Sequence, residues 1–337
     1  MNFHAMLRLI AKVIALGLLG LLALAVFFYI KISSPLVLKS ERIEFDIPQN
    51  RSFRSAATGI VEAGVNIDPK LLIILGKLRR VDGSIKAGSY EIHQGATALD
   101  LLSKISRGDV VRTEIVFIEG WTFKQFRERL HAHPDLHHEA KGLSDTEIMR
   151  LLGSTHKNAE GLFFPDTYRF AKKSKDIDVL ARAYRLMQYH LEREWQNRSP
   201  DLPYTDSYQA LVMASIIEKE TGRDQDRPMV SSVFVNRLRI GMPLQADPTV
   251  IYGMGDSFDG NLRRRDLLTD TPFNTYTRRG LPPTPIAMPG LASIRAAMHP
   301  AKSEALYFVA RGDGTSHFST TLTEHNQAVN RYQRGGR

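Results

Sequence analysis

The chain opens on an uninterrupted apolar block and then changes to short alternating and helical patterns. From Val13 to Ile30 it runs 18 residues without a charge. As a helix that block spans about 27 Å, just enough to cross a bilayer. Ala23-Leu24-Ala25 offers the small-residue pattern of a signal-peptide cleavage site. The apolar run continues past it through Val26, Phe27, Phe28 and Ile30, so an uncleaved anchor over residues 13–32 is expected, after a tail of residues 1–12. Arg8 and Lys12 flank one side and Lys31, Lys39 and Arg42 the other, so nearby charge leaves the orientation open.

Past a short polar linker, one pattern occurs three times: a strand, a turn, then a Ser or Thr opening a helix. The copies are Phe45 to Gly64, Tyr90 to Gly108 and Val116 to Leu130. Gly95 and Gly120 supply the turn in the later two, and Thr97 and Thr122 are placed as N-caps with Asp100 and Gln125 at capping-box spacing. Asn50, which also tolerates a left-handed backbone, stands in for Gly in the first. Residues 43–110 therefore read as a small α/β module. After a helix ending near His131 and a loop-rich stretch, residues 177–195 predict a long amphipathic helix with Leu180, Tyr184, Met187, Leu191 and Trp195 facing the core. The next helix, 208–219, is apolar nearly all round from Ala210 to Ile217, which predicts burial at a domain centre. A helix at 229–239, a Gly/Pro-rich segment from 241 to 290, a helix at 293–298 and strands at 306–310 and 317–319 complete a second domain, residues 111–333. The fold class is mixed α+β.

Composition narrows the partners. The 337 residues suit about two domains at roughly 150 residues each, and 43% hydrophobic with 24% charged residues is ordinary globular usage, excluding disordered, collagenous or multi-span readings. Lys plus Arg at 45 against Asp plus Glu at 36 gives a net charge of +9, which favours an anionic partner such as nucleic acid, lipid headgroups or an acidic polymer. With no cysteine, disulfides, thiol nucleophiles and Cys-based metal sites are excluded.

Candidate chemistry centres on Met213-Ala-Ser-Ile-Ile-Glu-Lys-Glu-Thr-Gly222. Successive helical residues rotate by about 100°, so Glu218 and Glu220 point to nearly opposite sides. Glu218 is flanked on its own face by Ala214, Ser215, Thr221 and Gly222, which leave room for a ligand; a carboxyl against apolar surroundings would gain proton-donor character near neutrality. A solvated helix end is the plainer alternative. Gln245, Asp247 and Thr249 at a Pro-defined turn, and Asn274 and Tyr276 before the stiff run Gly280 to Ile286, suit sugar recognition, though turn formation explains them equally well. Four histidines from His131 to His138 lack metal-ligand spacing, and no phosphate-binding loop is present, so neither metal nor nucleotide cofactor is expected. Arg263-Arg-Arg265 and Arg278-Arg279 are consistent with an anionic polymer or a solvated loop, and no nucleic-acid-binding motif accompanies them.

The chain resembles the endolytic murein transglycosylases, the YceG-like proteins, over nearly its whole length. The resemblance is carried by Ile85-Lys-Ala-Gly-Ser-Tyr90, Glu160-Gly-Leu-Phe-Phe-Pro-Asp-Thr-Tyr168, Ala214-Ser-Ile-Ile-Glu-Lys-Glu-Thr221, Val233-Phe-Val-Asn-Arg-Leu238, Leu244-Gln-Ala-Asp-Pro-Thr-Val-Ile-Tyr252, Asn274-Thr-Tyr276, Gly280-Leu-Pro-Pro283, and His317-Phe through Glu324-His-Asn326. Asn50 replaces the usual Gly of the first repeat, and Thr284 and Met288 depart from the commoner wording of their segment. The resemblance implies a cytoplasmic tail, a single anchor in the bacterial inner membrane, a LysM-like subdomain over 43–110, and a periplasmic catalytic domain that cuts peptidoglycan glycan strands. It implies Glu218 as the catalytic acid and cell-wall synthases of the penicillin-binding class as companions; Glu220, Gln245, Asp247, Asn274 and Tyr276 are the candidates for substrate binding beside it, and no cofactor is expected. A muramidase with Asp247 or Glu220 as second carboxylate, and a non-catalytic glycan-binding scaffold, are the rival readings.

Overall fold

A computed structural model describes residues 3–335. Of the expected tail, residues 1 and 2 lie outside the described residues, and the rest already belongs to helix α1 (Phe3–Ser33). Residues Ala11–Ser33 of α1 are long and apolar enough to cross a membrane, and their most apolar stretch is unburied, as suits a membrane anchor or a signal sequence.

The chain forms two units. The first holds residues up to Thr113 together with Phe170–Lys173; the second holds Glu114–Arg169 and the chain from Ser174 onward. In the first, α1 is followed by β1 (Val37–Leu38), β2 (Arg42–Ile47), α2 (Phe53–Glu62), β3 (Val65–Asn66), α3 (Pro69–Leu78), β4 (Gly88–His93), α4 (Ala98–Arg107) and the start of β5 (Arg112–Val116). Strands β2 and β4 pair antiparallel from Arg42 opposite His93 to Ile47 opposite Gly88. Alternation along β2 buries Ile43, Phe45 and Ile47, and Phe45 stacks on Tyr90 of β4 with ring centroids 5.7 Å apart. The helices cover that face with Ile60, Leu72, Leu101 and Ile105, each such burial stabilising by roughly 1.5–3 kcal/mol.

The three strand–turn–helix copies form as their turns dictate. Asn50, Gly95 and Gly120 all have positive φ (60°, 92° and 76°), and Thr97 and Thr122 close capping boxes with Asp100 and Gln125. Helix α3 was not expected. Asp68 caps it and Pro69 starts it, a use of Asp-Pro that opens helices as readily as turns. The third copy contributes its helix, α5 (Phe123–His131), to the second unit, where Phe123, Phe126 and Leu130 are buried.

The second unit continues through β6 (Leu136–His137), α6 (Asp145–Leu151), the start of β7 (Thr167–Ala171), β8 (Ser174–Lys175), α7 (Asp176–Gln196), α8 (Ser207–Glu220), α9 (Arg227–Arg239), α10 (Asp247–Met254), α11 (Arg264–Leu268), α12 (Leu291–Met298), β9 (Tyr307–Ala310), β10 (Ser316–Ser319) and α13 (Leu322–Tyr332). Helix α8 is its centre: every residue from Ala210 to Ile217 is buried, with α7, α9, α10 and α12 packed around it. The seam of α7 is Val179, Leu180, Ala183, Met187, Leu191 and Glu194; Tyr184 and Trp195 of the expected stripe are only half-buried. The Gly/Pro-rich segment is not all loop, since Pro248 lies in the first turn of α10, where a missing N–H costs nothing.

Candidate active site

At the end of the apolar helix α8 the chain leaves the core, and Glu218 is held in the last turn with a side chain only 7% exposed. The loop before α12 is fastened to the same helix: the Ile286 N–H donates to Ser215 Oγ (3.0 Å), and that hydroxyl donates to the Val212 carbonyl (2.7 Å). Gly161 fits the loop from the other side. Its φ is 79°, and a Cβ there would lie 2.4 Å from Pro285, so only glycine allows the approach. The fastening delivers the start of α12 to the carboxylate. Glu218 Oε2 accepts from the Gly290 N–H (3.0 Å) and the Ser293 hydroxyl (2.7 Å), while the Arg227 guanidinium lies 3.6 Å from Oε1. Arg227 is itself buried and paired with Asp224. The apolar wall expected beside Glu218 is therefore absent; α9 and α12 bring polar groups that no spacing along α8 reveals.

A second acid meets the first at Gly290. The turn before α5 hooks onto the loop before α12 through two backbone bonds, Gly120 N–H to the Met288 carbonyl (2.8 Å) and Met288 N–H to the Trp121 carbonyl (2.7 Å). Lys219 Nζ also donates to the Gly120 carbonyl (3.2 Å). This sets Glu119 against Gly290, where an added Cβ would fall 1.9 Å from Glu119 Oε1. Partial desolvation, then the charge of Glu218, pushes the Glu119 carboxyl up, and Arg227 opposes the shift. Sequence reasoning missed Glu119, whose one signal was its place directly before the Gly120 turn.

A groove of about 1200 Å³ opens between α5 and α10, lined by Thr122, Lys124, Arg127, Glu160, Tyr252 and others, and running past Lys219 and Ile286, the neighbours of Glu218 and of its loop. Glu160 stands buried in its wall, accepting from the Phe123 N–H (3.0 Å) and the Tyr252 hydroxyl (3.1 Å). Burial pushes its carboxyl up to about 7 against those two bonds.

The other face of α8 gathers a different set. Burial, then the charge of Asp247, pushes Glu220 up to about 8, with Arg237 opposing. The Tyr276 hydroxyl donates to Asp247 Oδ1 at 2.5 Å. Gln245 is exposed, with φ of 50°, and its N–H donates to the Thr275 carbonyl (3.1 Å). Asn274 is placed differently from the sequence expectation. It is fully buried, its amide donates to the carbonyls of Asp266, Leu267 and Thr269, and its oxygen accepts from the Tyr276 N–H. Its side chain ties the loop together and presents nothing outward. The carboxylates named as partners for Glu218 in hydrolysis, Asp247 and Glu220, thus act on each other, and the acid facing Glu218 is Glu119. Arg263 and Arg278 pair with Asp259 and Asp270 of their own loop. His131 and His138 stand with ring centroids 6.2 Å apart, and among the described residues no group of three or more acids or histidines is arranged to hold a metal ion.

Comparison with known proteins gives one consistent result. A family model described as the YceG-like family matches residues 45–331. The endolytic murein transglycosylase of Bacillus subtilis strain 168 is 31% identical over 86% of this chain and 84% of its own length. That of Streptococcus pneumoniae serotype 2 is 25% identical over 84% of this chain, which spans 57% of that protein. A crystal structure of a yceG-like protein from Listeria monocytogenes matches with a TM-score of 0.55 and 30% identity, over 85% of this chain and 98% of the other.

Proposed function

The chain belongs to the YceG-like family, and from that premise we propose that it is an endolytic murein transglycosylase with Glu218 as its catalytic acid and base. Glu218 protonates the oxygen joining N-acetylmuramic acid to N-acetylglucosamine, then as carboxylate removes the proton of the muramyl 6-hydroxyl. That hydroxyl closes on the anomeric carbon, leaving a 1,6-anhydro end and consuming no water. A retaining hydrolase would need a nucleophilic carboxylate about 5 Å away, and an inverting one a base at roughly 6.5–9.5 Å; the lytic route needs one group for both transfers.

The observation that carries this reading is the hold on Glu218: a carboxylate at the end of a buried helix, fixed by the Gly290 N–H, the Ser293 hydroxyl and Arg227, beside a groove broad enough for sugars. Gln245, Asp247 and Tyr276 are proposed to contact the strand, and Glu220 to tune them. Helix α1 is proposed as an anchor in the inner membrane, with the rest extracytoplasmic. The first unit, a two-stranded sheet backed by helices, is proposed as the LysM-like subdomain that grips the polymer. The family resemblance extends the reading to trimming of nascent strands beside cell-wall synthases.

Mass spectrometry of peptidoglycan digested by the full-length protein tests the chemistry. Anhydro ends, lighter than hydrolytic ends by one water, are expected, and Glu218→Gln should lose them while still binding glycan. Reducing ends alone would exclude the lytic route, and unimpaired cleavage by Glu218→Gln would remove that residue from its role.

A further inference from the structure

Two carboxylates, Glu119 and Glu218, converge on one glycine. Gly290 gives its N–H to Glu218 Oε2 at 3.0 Å, and the space its missing side chain would fill is taken by the Glu119 carboxylate, with Oε1 1.9 Å and Oε2 2.7 Å from the Cβ position. The two acids differ in access. Glu218 has 7% of its side chain exposed, whereas Glu119 is open to solvent. The charged groups facing them are few: Arg227 on α9 beside both acids, Asp224 paired with Arg227, and Lys219 on α8, whose ammonium sits on the Gly120 carbonyl. Helix α12 contributes only neutral groups here, Gly290 and Ser293, since its Arg295 pairs with Glu194 of α7.

We propose that Glu119 is a positioning residue of the site, sharing one proton with Glu218 across Gly290; this rests on the transglycosylase reading. Two carboxylates and Arg227 carry a net negative charge, and a single shared proton makes the trio neutral. With the proton on Glu119, Glu218 is the carboxylate that Ser293 and Gly290 hold. Transfer from Glu119 to Glu218 leaves Glu119 ionised and arms Glu218 as donor. Glu218 then protonates the bridging oxygen as the glycosidic bond breaks, and regains a proton from the 6-hydroxyl as the anhydro bond forms, so the pair ends with the one proton it began with. Like charges in one site raise the proton affinity of the pair, and at Glu119 partial desolvation and then the charge of Glu218 push the carboxyl up.

The test is the pH dependence of cleavage of purified glycan strands by the full-length protein. Glu119→Gln removes the neighbouring charge, so Glu218 holds its proton less tightly. The loss of rate should grow with pH, moving the alkaline limb toward acid by about one unit. Gly290→Ala should move the limb the same way, because the methyl displaces Glu119 while the backbone N–H to Glu218 remains; the φ of −77° at this position accepts alanine. Glu119→Asp should restore part of the shift. A merely structural role scales the rate equally at all pH, so an unmoved limb in Glu119→Gln overturns the proposal whether or not the rate falls. If the wild-type protein makes no anhydro ends, the transglycosylase reading fails separately. The pair is then read by NMR titration of carboxyl-labelled glutamates in the full chain, where an unshifted Glu218 titration in Glu119→Gln overturns the sharing.

Discussion

Glu218 and Glu220 lie two residues apart on one helix and occupy opposite chemical worlds. Glu218 has a hydroxyl, an amide and a guanidinium brought to it by α9 and α12. Glu220 is desolvated, with Asp247 pressing its proton on and only Arg237 opposing. The helix itself supplies neither environment. It supplies the direction of each side chain, and segments distant in sequence decide what each one meets.

The comparison breaks most easily at the acids themselves. Glu218→Gln is expected to lower glycan cleavage by about 10²–10⁴-fold, the usual worth of acid–base catalysis, whereas Glu220→Gln should retain most of it; equal losses, measured on purified protein, would erase the distinction. Asn274→Ala is expected to lower stability by about 1–3 kcal/mol, because it unpairs buried carbonyls, and denaturant unfolding should show it. Ser293→Ala should cost about tenfold in rate through one lost bond to the carboxylate, and an unchanged rate on purified glycan would show that this bond is not used.

The pH dependence of stability sharpens the contrast further. Glu220 binds its proton in the folded state up to about 8 but from an ordinary value of 4.5, so between those limits the folded protein holds a proton that the unfolded chain has released. Its contribution is fully present below about 4.5 and declines as the pH rises toward 8. Thermal melting should therefore fall across this window in the wild type and fall less in Glu220→Gln. Parallel curves would mean that Glu220 is solvated after all.

Much of the second unit was legible because α8 is apolar all round, a pattern with few outcomes other than burial. The caps were equally plain: Thr97 with Asp100 and Thr122 with Gln125 are local chemistry, and local chemistry is what spacing records. Helix α10 was missed because Asp247-Pro248 was read as a turn when Pro248 lies in the first turn of a helix, and α3, which Pro69 opens in the same way, was not anticipated at all. Glu119 was invisible for another. It reaches Gly290 through backbone bonds between residue 120 or 121 and residue 288, and backbone bonds leave no trace in side-chain identity. Asn274 shows the converse, an outward-looking residue type whose polar atoms are all turned inward.

The eight buried residues from Ala210 to Ile217 also set the order in which the protein comes apart. Amides in such a segment exchange with deuterium only when the whole unit opens, so the acid is mounted on the last part of the domain to yield. Loosening of segments that do not touch Glu218 would leave catalysis intact, whereas release of the loop before α12 would remove the Gly290 and Ser293 hold on the acid before α8 itself opened.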